Sequence, residues 1–222
     1  MNLFDEINAI RERWDVLEHP FYLRWSEGDL SPQELALYAG QYRHAVVALA
    51  AAAGATARSA DADEAVPALQ AHAAEEAEHV ELWDHFASAV GASAAAPTAE
   101  TKSCVRAWSG PDRRELLPSL VVLYAIESSQ PRISEVKRDG LIDHYGFEPS
   151  SKATAYFDLH AVRDHDHAAQ HRSLISSRMA GGDIGWLVEP AEEALAGNWM
   201  LLDGVGASAA IRRPPVGRRP WR

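Results

Sequence analysis

The chain has 222 residues, 47% of them hydrophobic, and a formal net charge of −11 at neutral pH. That length supports a substantial apolar core without covalent staples, and the acidic balance argues against a nucleic-acid-binding surface, which needs clustered cations to neutralise phosphates. A single cysteine, Cys104, excludes an intramolecular disulfide and fits a reducing cytoplasm.

In chain order the sequence reads helix after helix. Residues from about 2 to 17 form a charged amphipathic helix rather than a signal peptide. The segment EHPFYLRWSEGDLS follows, and its Pro20 and Gly28 break the periodicity. Ser31 reads as an N-cap, with Pro32 at the first helical position and Glu34 three residues on, and this helix runs to about Thr56. Its alanine-rich stretch from Ala45 to Ala57 is too short to span a bilayer. A further helix runs from about Asp63 to Val90 and ends at Gly91, and a shorter one covers Glu100 to Trp108. A long helix from about Arg114 to His144 is bent or broken at Pro131. Two more cover about 151–179 and 184–205. No alternating Val/Ile/Thr run marks a strand. The expectation is an all-α, single-domain bundle of about seven helices over residues 1–208, soluble and cytoplasmic, followed by a basic Pro/Arg-rich tail, 209–222, that is disordered and solvated.

Four histidines fall in one short stretch, FDLHAVRDHDHAAQH. His160, Asp164 and His167 follow H-x-x-x-D-x-x-H, and steps of four and three return side chains to one helix face. This ladder of imidazole, carboxylate and imidazole can hold a divalent metal. His165 lies off the stripe, and His171 lies one turn beyond His167, where it can support a ligand. In HAAEEAEHVELWDHF, His79, Trp83, Phe86 and Val90 mark an inward face, and Glu76 continues it one turn back. Glu75 could replace Glu76, whereas Glu78 lies about 100° from His79 and is solvated. Glu127 shares a face with Leu120 and Tyr124 inside an apolar run. Burying such carboxylates unpaired costs several kcal/mol. Glu76, His79, Glu127, His160, Asp164 and His167, carried on three helices, could together hold two metals with bridging carboxylates. Mixed N/O ligation with open positions suits iron or manganese and oxygen activation. His19, His44, His72, His85 and His144 receive no role, although His72 shares the face of Glu76 and His79. The competing structural reading, a hydrogen-bonded polar network in a helical interaction protein, requires six buried ionisable groups without a metal.

The motifs LEHPFYLRWSEGDLS, HVELWDHFASAVG, YAIESSQPRISEVKRDGLIDHYGF and YFDLHAVRDHDH resemble those of the haem-oxygenase-like di-metal oxidases. The resemblance is to the branch typified by CADD, the Chlamydia protein associating with death domains. It covers nearly all of residues 1–205 and implies a haem-oxygenase-like bundle, two iron ions or an Fe/Mn pair on the six residues above, and O2 as co-substrate. It also implies formation of para-aminobenzoate for folate synthesis from a tyrosine of the chain itself, with a lysine as nitrogen donor. The matching catalytic positions are Tyr22, Tyr38, Tyr156 and Lys137. The partners implied are a small-molecule substrate or the chain's own tyrosine, a reductant, and a second copy in a homodimer, with no nucleic acid and no membrane. Two positions depart from the branch. A first-helix acid stands seven residues before the histidine there, where this chain has His72, and the tyrosine preceding the central Glu is Ile126 here.

Rival activities on related bundles are an N-oxygenase or oxidase of a small amine or acid, and a TenA-like non-redox protein. A thiaminase needs a nucleophilic cysteine, and the matching segment LLPSLVVLY carries Ser119 instead. Haem ligation by His19 is disfavoured by the Pro20 that follows it.

Overall fold

A computed structural model describes residues 2–60, 64–109, 115–179 and 184–212. Among these residues the regular structure is all helical, with α1 (Leu3–Arg13), α2 (Pro20–Ser26), α3 (Pro32–Ser59), α4 (Val66–Ala89), α5 (Ala99–Ser109), α6 (Leu116–Glu127), α7 (Gln130–Tyr145), α8 (Ala155–Arg178) and α9 (Gly185–Arg212). Most of the predicted tail lies outside the described residues.

The two helices beyond the expected seven have local causes. Pro20 starts a helix rather than breaking one. It occupies the first turn of α2, where a missing N–H costs nothing, and His19 caps that turn by accepting the Phe21 N–H on Nδ1 at 3.0 Å. The predicted break in the long helix falls at Ser128–Ser129, and Pro131 sits in the first turn of α7. Two capping boxes fix other starts. Asn2 and Asp5 exchange bonds at the head of α1, and Ser31 and Glu34 do so at the head of α3. Gly146, at φ 74°, closes α7 in the left-handed conformation that favours glycine.

α3 packs along α4, α5 along α9 and α7 along α8. The buried apolar side chains form two clusters. One gathers Trp25, Tyr38, Trp83, Phe86 and Phe157, and the other Leu3, Ile7, Leu120, Val121 and Ile175. α6 contributes to both, and every residue from Ser119 to Glu127 is buried. An all-round apolar helix belongs at the centre of a bundle, and α6 carries its one acid, Glu127, there at its C-terminal end. Among the described residues no helix is long and apolar enough to cross a membrane.

Candidate metal centre

On α4 the buried stripe reads Leu69, His72, Glu76, His79, Trp83 and Phe86. On α8 it reads Phe157, His160, Asp164, His167, His171 and Ile175. Steps of three and four keep each set on one face, and the two faces meet beside the end of α6. All six predicted ligands are therefore brought together, each at most 5% exposed.

Their donor atoms converge as two groups. His72, Glu76, Glu127 and His167 each place one ligand atom within 4.8 Å of the others, and so do Glu76, His79 and His160. Glu76 belongs to both. Its Oε1 lies 3.0 Å from His79 Nδ1 and 3.8 Å from both His72 Nε2 and His167 Nδ1. Glu127 sits between two imidazoles, with Oε1 2.9 Å from His72 Nε2 and Oε2 2.8 Å from His171 Nδ1.

Asp164 belongs to neither group. Its Oδ2 accepts a hydrogen bond from His160 Nδ1 at 2.9 Å, and Oδ1 lies 3.5 Å from His167 Nδ1. That bond leaves the His160 Nε2 lone pair free to bind a cation. Glu75, the alternative to Glu76, points outward. Arg163 grips it through Nε at 2.8 Å and Nη2 at 2.7 Å, and its Oε2 accepts from His167 Nε2 at 3.1 Å. His167 is thereby held with Nδ1 turned inward.

The donor chemistry fits a metal. His72 Nε2, Glu76 Oε1, His79 Nδ1, Glu127 Oε1 and Oε2, and His171 Nδ1 are buried and make no hydrogen bond, although several approach one another to 3.0 Å or less. Close approach without hydrogen-bond alignment is what shared coordination requires, and leaving so many buried polar atoms unsatisfied would otherwise be costly. Electrostatics agree. Burial would raise the Glu127 carboxyl, yet the flanking His171 and His72 hold it below the usual carboxylate range. Burial would lower His72 and His160, but Glu127 and Asp164 respectively lift them. His167 is raised to about 9, the charge and hydrogen bonding of its acidic neighbours overcoming its burial. A divalent ion held here would take the place of the protons that these carboxylates favour on His72, His160 and His167.

His72 was given no role from the sequence, and it stands inside the first group. The signal was present, since it lies four residues before Glu76 on the same stripe. His171, on the far side of Glu127, is wholly buried. His165 is exposed and Glu78 is exposed, as their off-stripe positions require. His19 caps α2 and bonds Asp203 through Nε2 at 3.1 Å, so both ring nitrogens are occupied away from the centre.

The predicted catalytic residues surround the neighbouring aromatic cluster. The Tyr22 and Tyr38 hydroxyls are 2.7 Å apart. The Tyr156 ring stands 4.2 Å from that of His160 and 4.9 Å from Trp83, linking this cluster to the centre. Lys137 is buried, against the general surface habit of lysine, with Nζ 5.2 Å from the Tyr22 ring centroid, 5.7 Å from Tyr38 and 4.5 Å from Tyr42. Burial alone pushes its amine down to about 7. Tyr42, which sequence reasoning passed over, is the ring nearest that amine. Trp25 donates its Nε1–H to the Lys137 carbonyl at 3.1 Å and presses its indole edge on α7 at Gly140, where an added Cβ would meet it at 2.6 Å.

Residues 36–199 match the profile of a family described as iron-containing redox enzymes. The chain belongs to this family. It is 30% identical over 215 residues to the 4-aminobenzoate synthase of Chlamydia muridarum, spanning 91% of this chain and 89% of that protein. Among solved structures, a domain with a haem oxygenase-like fold from Shewanella denitrificans superposes with a TM-score of 0.80 at 16% identity, over 100% of this chain and 99% of that one. A CADD-like protein from Nostoc punctiforme gives a TM-score of 0.74 at 18% identity, over 93% and 96%. The haem-oxygenase-like fold, the resemblance to the CADD-like branch and the assignment as a redox enzyme are thus established, and the buried His/Glu cluster is this family member's candidate metal site. Thiol chemistry has no place in it. Cys104 is fully buried, which pushes its thiol well above the ordinary value, and Ser119 donates to the Glu115 carbonyl at 2.8 Å.

Proposed function

We propose that the chain is an O2-dependent non-haem oxidase with two iron ions, or one iron and one manganese, and that it forms 4-aminobenzoate by consuming its own Tyr22. The observation that carries this reading is the burial of an amine and two hydrogen-bonded phenols beside a doubled donor set. The curated relatives bear the matching name.

In this reading Glu76, His79 and His160 would hold one ion, and His72, Glu76, Glu127 and His167 the other, with Asp164 orienting His160. Bound there, the ions would let O2 oxidise a phenol that is otherwise inert. The remaining work falls to side chains. Burial keeps the Tyr22 and Tyr38 phenols protonated well above the ordinary range, and their mutual hydrogen bond gives the leaving phenolic proton a first acceptor. Tyr156 and Trp83 place conjugated rings between His160 and the Tyr42–Tyr38 pair. Lys137, with its ammonium form suppressed by burial, offers a neutral nitrogen lone pair against the Tyr22 ring at neutral pH. A small-molecule reductant from the cytoplasm would complete the cycle, and a homodimer remains compatible with the exposed faces.

Ring-labelled tyrosine incorporated into the chain, followed by metal loading and exposure to oxygen with a reductant, tests the proposal. Label should appear in 4-aminobenzoate, and the peptide containing Tyr22 should lose its intact form in equal amount. Product that carries no label, with Tyr22 intact, would mean that the site oxidises an external amine or acid.

A further inference from the structure

A cavity of about 230 Å3 opens on the outer side of the centre, where α1, α6 and α8 meet. Asp164 lines it, so it reaches one of the residues of the metal site. Two guanidiniums flank it. Arg11 donates to Asn8 Oδ1 at 3.0 Å and Ser128 Oγ at 2.6 Å, while its Nε–H is buried and makes no hydrogen bond. Arg172 donates to the Tyr124 hydroxyl at 3.3 Å and lies over the Phe4 ring, 4.1 Å from its centroid.

Neither arginine has an ion-pair partner among the described residues, whereas Arg13, Arg24, Arg43, Arg132, Arg138 and Arg163 do; Arg58 and Arg106 also show none, but neither lines this cavity. In a chain with a net charge of −11, carboxylates are plentiful. Two unpaired guanidiniums that face one cavity, one of them with a buried unused donor, form an anion site. Asp164 does not cancel it, because its charge is turned to His160 and His167. Planar guanidiniums match carboxylate and phosphate oxygens equally well. The walls decide between them. Ala168 and Pro131 offer apolar surface that the body of an organic acid would cover and a free phosphate would leave bare.

We propose that this cavity binds a small organic carboxylate, held by Arg11 and Arg172 with its apolar body against Ala168 and Pro131, next to the metal-binding cluster. Its use as a substrate or product position rests on the function proposed above. The binding itself does not, because it needs neither metal nor oxygen.

Calorimetric titration of the full chain with benzoate, metal-free and metal-loaded, tests the site. The expected result is saturable binding of one benzoate per chain in both forms, weakened about tenfold or more by Arg11→Met and by Arg172→Met. Benzamide, which keeps the ring and loses the charge, should bind at least as weakly. Absence of saturable binding, equal affinity for benzamide, or binding untouched by the two substitutions would overturn the proposal. Inorganic phosphate binding as tightly as benzoate would also overturn the carboxylate assignment. Arg172 is exposed, so Arg172→Met decides the matter if Arg11→Met fails to fold. Binding of benzoate by a chain that makes no 4-aminobenzoate would keep this site and remove only the proposed reaction.

Discussion

Lys137→Met should make the metal-free protein more stable at neutral pH. In an unfolded chain the amine keeps its proton up to its ordinary value of 10.5, and in the fold it releases it at about 7. Each pH unit of that interval corresponds to about 1.4 kcal/mol, so holding the lysine inside costs the fold about 5 kcal/mol at pH 7. Methionine is of similar length and carries no charge, so the expected gain is about the size of that cost, a large share of a typical domain's stability. Between the two values the unfolded chain binds one proton more than the folded chain, so wild-type stability rises with pH there. The advantage of the variant should accordingly shrink as pH climbs from about 7 to about 10 and vanish near the ordinary lysine value. Urea unfolding of both proteins across that range reads it directly. A stability gap that stays constant or widens with pH would refute the reasoning, as would a variant less stable than wild type at pH 7. The same variant should form no 4-aminobenzoate, which separates the lysine's thermodynamic burden from its chemistry.

Other substitutions probe the centre and its supports. His160→Ala should abolish binding at the group it shares with Glu76 and His79, and His72→Ala should reduce two metals per chain to one, both with helix content preserved by circular dichroism. Full metal content in either variant by elemental analysis would remove that residue from the ligand set. Arg163→Ala frees Glu75 and with it the Nε2 side of His167, and loss of such an outer support lowers metal affinity by about 10- to 100-fold. Chelator competition should show this, and an unchanged affinity would mean that packing alone aims His167. Gly140→Ala ought to gain helix propensity, but the new methyl would overlap Trp25, so it should instead destabilise the fold by about 1–3 kcal/mol in thermal unfolding.

Much of this centre could be read from the sequence because its ligands sit on helices. A helix repeats its face every three to four residues, so spacing alone placed His160, Asp164 and His167 together, and Glu76 with His79. The same rule put His165 in solvent but could not choose between Glu75 and Glu76, a choice that the Arg163 grip on Glu75 makes in the structure. Spacing within one helix carries no information on which face of α8 meets which turn of α4. For that reason His72 went without a role. Lys137 could not be recognised as buried from its neighbours, since its pocket is assembled from Tyr22, Tyr38, Tyr42 and Phe157 on three other helices. At the fold level, Pro20 was read as a breaker because helix-starting and helix-ending prolines look alike until the preceding residue is seen to cap. His19 does so with a ring nitrogen, outside the usual Ser, Thr, Asp and Asn set.

One oxygen of Glu76 stands at the junction of the two donor groups, within reach of three imidazoles. A cation held by either group would engage the one oxygen that the other group also offers, so filling one group should change the affinity of the other and titration with metal should depart from two independent sites. A substitution at this single side chain would then disturb both halves of the centre at once, where any other donor belongs to one half alone.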